Sequence, residues 1–175
     1  ECFDKSLYKG VKMTNNLIQY KEYIFRRVVM KILVINGPNI NFLGIREVSV
    51  YGSADFDYLR QIVHKKCAKE NIVCDLYQSN HEGEIIDKIQ DAYRNNTDAI
   101  IINPGAYAHY SYAIHDAITS VMIPTVEVHI SDIEKRAEEW RHHSVTADAC
   151  LKVIKGKGLD GYIEAIDFLK EYVKK

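Results

Sequence analysis

Five short apolar segments alternate with helical segments along the chain, and this alternation predicts an α/β fold: one parallel sheet, doubly wound, with helices on both faces in a three-layer αβα arrangement. Two features carry the expectation. Met30-Lys-Ile-Leu-Val-Ile35 and Asp98-Ala-Ile-Ile-Ile-Asn103 are nearly unbroken apolar runs, the mark of buried strands. Polar residues then cluster where each strand should end, which is where ligands bind in doubly wound sheets.

A chain of 175 residues suffices for one domain with a proper core. Hydrophobic residues make up 47% and charged residues 27%, as in ordinary globular proteins. The formal net charge of −1 offers no field to recruit nucleic acid or an anionic membrane. Cys2, Cys67, Cys74 and Cys150 are scattered without metal-binding spacing, which fits thiols in a reducing compartment. No apolar run is long enough to cross a bilayer and no signal peptide is evident, so a cytoplasmic protein is expected.

Residues 1–29, rich in Lys, Tyr and Asn, read as an extension outside the core design, frayed or loosely helical, with a docking helix as the alternative. The single catalytic domain is expected over 30–175, opening with a strand at Met30. Phe56, Leu59, Ile62 and Val63 recur at helical spacing and predict a helix over about 55–70. A second strand follows at 72–77, then a helix with Ile85, Ile86, Ile89 and Tyr93 on one face. Strand three, 98–103, ends at Pro104-Gly105, and a helix is expected over 111–121. Strand four, 124–129, leads into a polar helix over 132–141. Strand five is expected over 151–154, and a last amphipathic helix uses Ile163, Ile166, Phe168 and Leu169. Five such strands fit the flavodoxin-like order.

Asn39, Gln78-Ser79-Asn80, Asn103, Glu127 and His129 should therefore converge on one rim at the carboxyl ends of the strands. The connection after strand one, residues 36–52, is long for a strand-to-helix link and glycine-bounded, as functional loops often are. It contains Arg46 and Tyr51. A phenol titrates near ~10, and an adjacent guanidinium lowers that by roughly 1–3 units, so this pair could act as a proton-abstracting base. The spacing fits equally a tyrosine packed over the sheet with an arginine on the surface. Glu127 and His129, two apart on a strand, share a face, and a carboxylate-held histidine is a good general acid near neutrality. Arg136 and Arg141 could bind an anionic or polyhydroxylated substrate, or be solvated helix surface. Gly156-Lys-Gly-Leu-Asp-Gly161 matches the dinucleotide fingerprint literally, but no strand follows it, and a tight turn explains it better. No grouping has metal-ligand spacing, and nothing calls for a cofactor.

Taken together, Gly37-Pro-Asn-Ile-Asn-Phe-Leu-Gly-Ile-Arg46-Glu, Tyr51-Gly52, Gln78-Ser-Asn-His-Glu-Gly83, Ile102-Asn-Pro-Gly-Ala-Tyr-Ala-His109 and Glu127-Val-His-Ile-Ser131 closely resemble the type II 3-dehydroquinate dehydratases. The resemblance runs in order from about residue 30 to 173. It implies a flavodoxin-like fold and cofactor-free dehydration of 3-dehydroquinate to 3-dehydroshikimate in the shikimate pathway, by anti elimination through an enolate. By position, Tyr51 resembles the base that takes the C2 proton, with Arg46 lowering its pKa. Asn39 resembles the residue holding an enolate-stabilising water. His129, supported by Glu127 and Asn103, resembles the acid that protonates the departing C1 hydroxyl. Asn103, His109, and Arg136 or Arg141 resemble substrate-binding positions, and the backbone at Ile130 and Ser131 a carboxylate cradle. Asp116 matches an acid that reaches a neighbouring subunit's site, so the resemblance implies a homo-oligomer, a dodecamer built from trimers.

Three positions depart from the family pattern. Val48 replaces a usual Pro, His115 a usual Arg, and one extra residue separates Arg136 from Trp140-Arg141. On a helix the insertion would rotate Arg141 by ~100°. Two other functions compete: a flavodoxin-like module binding FMN or a nucleotide at the same rim, and a catalytically dead assembly protein that keeps the family's shell.

Overall fold

The computed structural model describes residues 29–45 and 54–173. Within them lie five strands, β1 (Lys31–Asn36), β2 (Val73–Gln78), β3 (Ala99–Asn103), β4 (Thr125–His129) and β5 (Lys152–Lys155). All pair in parallel in the order β2-β1-β3-β4-β5, the flavodoxin-like doubly wound topology. Four α-helices accompany them: α1 (Phe56–Lys69), α2 (Glu82–Arg94), α3 (Tyr112–Val121) and α4 (Asp160–Val173).

Alternation along the strands divides the core. Ile32 and Val34 of β1 and Ile101 of β3 face α1 and α4, where Leu59, Val63, Ile166 and Leu169 pack. Leu33, Ile35, Ile100 and Ile102 face α2 and α3, meeting Ile85, Ile89, Ile114 and Ile118. Two apolar faces covered by two helices each are why β1 and β3 carry almost no polar residue. Asp55 caps α1 by accepting from the Tyr58 amide at 2.7 Å, and Ser111 caps α3 by accepting from Ile114 at 3.0 Å.

The expected elements recur with ends moved by a residue or two, except one. The polar helix expected over 132–141 is instead two 3-10 turns, Ile133–Lys135 and Glu139–Arg141, with Arg136 extended between them (φ −70°, ψ 148°). Only Ile133 of this stretch is buried, so no apolar stripe exists to hold a longer helix against the sheet. With no helix axis through this stretch, an extra residue does not rotate Arg141 about one. The 156–159 part of the glycine motif forms a turn and Gly161 lies in α4; the amides of Gly156 and Gly158 donate to the carbonyls of His129 and Ile130 at 3.1 and 3.0 Å, propping the end of β4.

Candidate active site

Backbone contact between two strand ends creates the site. The Gly37 amide donates to the Asn103 carbonyl at 2.8 Å. A Cβ on Gly37 would lie 2.2 Å from the Pro104 carbonyl oxygen, so only glycine permits this approach. Gly105, at φ +61°, backs onto Pro38 in the same way. The loops after β1 and β3 are thus pressed together at the topological switch point, where the doubly wound sheet opens a crevice. The end of β2 braces them: Gln78 Nε2 donates to Gly37 O (3.2 Å) and Asn80 Oδ1 (3.1 Å), the Asn39 amide donates to Asn80 Oδ1 (3.0 Å), and Tyr107 donates its hydroxyl hydrogen to Asn80 O (2.7 Å). Gln78 and Asn80 therefore act behind the rim.

The crevice holds a cavity of about 200 Å³. Its wall brings together Asn39, Asn103, His109, His129, Ile130, Ser131, Arg136 and Arg141, with Ile40, Leu43 and Ile133 as the apolar part. Glu127 stands behind His129, fully buried. His129 Nε2 lies 2.5 Å from Glu127 Oε1; a carboxylate accepts, so Nε2 carries the hydrogen and the tautomer is set. Ser144 donates to the same oxygen at 2.6 Å and Thr146 to Oε2 at 2.5 Å. Burial pushes the Glu127 carboxyl up, but the hydrogen bond and charge of His129 with the two hydroxyls outweigh it, holding the group below the usual carboxylate range. An ionised, buried carboxylate gripping a histidine at a cavity wall is built to hold and deliver a proton.

His109 is set differently. Its Nδ1 lies 2.8 Å from the His143 carbonyl, which can only accept, leaving Nε2 as the acceptor of the neutral ring. Burial pushes its pKa down, and the nearby His129 and Arg141 add to this. The Trp140 ring meets its edge at 5.3 Å. Both arginines reach the cavity. Arg136 Nη2 donates to Ser131 Oγ at 3.0 Å, while Arg141 stacks 4.6 Å over Trp140 with Glu138 3.3 Å from its Nε. Two guanidinium groups on one cavity wall, one of them bonded to Ser131, suit an anion.

Asn103, expected to support His129, shares the wall with it, but its amide bonds Tyr162 (2.9 Å) and the Gly105 amide (3.2 Å). Asp116 projects from α3, largely exposed, 3.2 Å from His115 and away from the cavity. Arg46, Val48 and Tyr51 lie outside the described residues, as do residues 1–28. Ser144 and Thr146 were not foreseen. They flank a bend pinned by the Val145 amide, which donates to Ala108 O at 2.7 Å, and nothing local in the sequence shows that they meet Glu127. Among the described residues no group of His, Cys, Asp and Glu is arranged to hold a metal ion, and no helix is long and apolar enough to cross a membrane.

The family model described as Dehydroquinase class II matches residues 30–170. The chain belongs to that family. Among the members similar to it, the 3-dehydroquinate dehydratase of Lachnoclostridium phytofermentans is 63% identical over 138 residues, covering 79% of this chain and 94% of that protein. The enzyme of the same description from Caldicellulosiruptor bescii is 57% identical, over 81% and 97%. The crystal structure of type II dehydroquinase from Butyrivibrio crossotus superposes with a TM-score of 0.80 at 59% identity, covering 81% of this chain and 98% of that one. The 136–141 segment folds as separate turns, and both of its arginines stand at the cavity wall. His115 turns its ring toward Asp116.

Proposed function

We propose that this chain dehydrates 3-dehydroquinate to 3-dehydroshikimate and water without a cofactor, as its class II relatives are named for doing. The observation that carries the reading is the buried Glu127–His129 pair at the wall of a cavity flanked by Arg136 and Arg141. In this mechanism Tyr51, its phenolate favoured by Arg46, takes the C2 proton. The resulting enolate is stabilised through a water held by Asn39. His129 in its imidazolium form, with the Nε2 hydrogen kept by Glu127, then gives its Nδ1 proton to the C1 hydroxyl, which leaves as water as the C1–C2 double bond forms. Base and acid act from opposite faces, giving anti elimination. Of the described residues that flank Arg46 and Tyr51 in sequence, Leu43 lines the cavity and Gly44 packs against Asp55.

Asn103, His109 and the two arginines bind the ring hydroxyls and carboxylate, with the backbone at Ile130 and Ser131 cradling the carboxylate. The protein acts in the cytoplasm as a dodecamer built from trimers, in which exposed Asp116 serves a neighbour's site. A continuous absorbance assay for the conjugated enone product, run before and after borohydride treatment with substrate, tests the reading. Turnover that survives borohydride supports the imine-free route. No turnover from a well-folded oligomer overturns it.

A further inference from the structure

A buried chain of hydrogen bonds runs beneath the site, and its direction is fixed at both ends. Asn36 Nδ2 donates to the Tyr77 carbonyl at 3.4 Å, and a carbonyl can only accept. Asn36 Oδ1 therefore faces Tyr162, whose hydroxyl donates to it at 2.6 Å. Having spent its one hydrogen, the Tyr162 oxygen can only accept, and it does so from Asn103 Nδ2 at 2.9 Å. At the far end the Gly105 amide, which can only donate, bonds Asn103 Oδ1 at 3.2 Å. Amide orientation is ordinarily ambiguous; here two backbone groups of opposite polarity decide it. Tyr162 is fully buried, as are Asn36 and, nearly so, Asn103. Burial pushes the Tyr162 phenol well up, so it stays a protonated donor.

We infer that Tyr162, on α4 and outside the cavity wall, is a positioning residue: its hydroxyl, together with the Gly105 amide, fixes which side of the Asn103 amide the substrate meets. This rests on the reading above that Asn103 binds substrate. With one N–H and one lone pair committed inside the protein, Asn103 has one N–H and one lone pair left, at positions it cannot exchange. Remove the hydroxyl and Asn103 Nδ2 loses its buried acceptor, leaving the 3.2 Å bond from the Gly105 amide alone to hold the orientation, so the amide turns in part of the population and a bound hydroxyl or carbonyl there meets the wrong polarity.

The test is a double-mutant cycle on steady-state kinetics, with the full chain as its native oligomer, well below the unfolding temperature. Tyr162→Phe, which deletes one oxygen, is expected to raise KM about tenfold with kcat within about twofold, and to do nearly nothing further in an Asn103→Ala background. A second variant reaches the same point from behind. Asn36→Ala leaves the Tyr162 hydroxyl to donate to Asn103 instead, and is expected to raise KM likewise, again only when Asn103 is present. A merely structural role would lower thermal stability but leave KM unchanged, or multiply with Asn103→Ala; either result, in whichever variant folds, overturns the inference. Wild-type protein that forms no enone, or an Asn103→Ala variant with wild-type KM, would instead overturn the reading beneath it.

Discussion

Glu127 and His129 stand two residues apart on β4, with carboxylate oxygen and ring nitrogen 2.5 Å from each other. Both side chains are turned to the same side of the strand by its pleat. The carboxylate is the more buried of the two, so it orients the histidine without itself touching the cavity. Glu127→Gln keeps the shape and removes the charge that holds the Nε2 hydrogen. Turnover should fall by roughly 10²-fold, the lower range for a misoriented general acid. Initial rates on a variant with a native circular-dichroism spectrum check this; near wild-type turnover would remove Glu127 from proton delivery.

The same carboxylate predicts a pH dependence of stability. Its folded pKa lies below the ordinary carboxylate value, so its ionised form contributes stability fully present above ~4.3 and lost as pH falls through the folded value. Melting temperatures of wild type and Glu127→Gln, measured in parallel, should differ most near neutrality and converge on acidification. The titrations of all other carboxylates are common to both proteins and cancel. A gap that widens on acidification would mean that the sign is wrong.

Ser144 and Thr146 should matter for the same reason. Each donates to a buried charge, and such bonds contribute roughly 1.5–3 kcal/mol. Ser144→Ala and Thr146→Val are expected each to lower unfolding free energy by about that amount and to reduce turnover less than Glu127→Gln does. Denaturant unfolding and initial rates check both. Because the hydroxyls are 3.1 Å apart and share one carboxylate, the double variant should be non-additive.

How legible these partners were in the sequence follows from their range. The strands and the rim were readable because apolar runs and strand-end polar residues are local signals, and Glu127–His129 because i, i+2 spacing suffices. Ser144, Thr146 and Tyr162 reach their partners from 17, 19 and 59 residues away. No local pattern encodes such contacts; only the sheet order brings them in. The 132–141 stretch misled for the opposite reason: its charged composition suits a helix surface, but helices form where an apolar stripe can dock, and here only Ile133 does.

Tyr51 carries the base in the proposed mechanism. Tyr51→Phe should abolish turnover while leaving substrate binding largely intact, since one oxygen is lost from a residue whose part is to take a proton. Rate assays paired with calorimetric titration of 3-dehydroquinate check this. A variant retaining near wild-type activity would exclude Tyr51 as the base.

The last prediction concerns the backbone contact on which the site is built. At Gly37 an added Cβ would sit 2.2 Å from the Pro104 carbonyl oxygen and 2.6 Å from its carbon, a clash with main chain and not with a side chain that can turn away. Relief requires the loops after β1 and β3 to separate, stretching the 2.8 Å bond from the Gly37 amide to Asn103 O and moving Asn39 and Asn103 apart across the cavity wall. Gly37→Ala should cost about 3 kcal/mol, as overpacking against rigid neighbours does, and should lose activity beyond what the stability loss explains. Gly83→Ala is the control: it lies inside α2, with nothing within 4 Å of the added carbon. It should leave activity unchanged and raise stability by roughly 0.5–1 kcal/mol, because alanine favours helix over glycine. Chemical denaturation and initial rates on both variants decide the matter. A Gly37→Ala protein as stable and active as wild type would show that the two loops are not held by that contact.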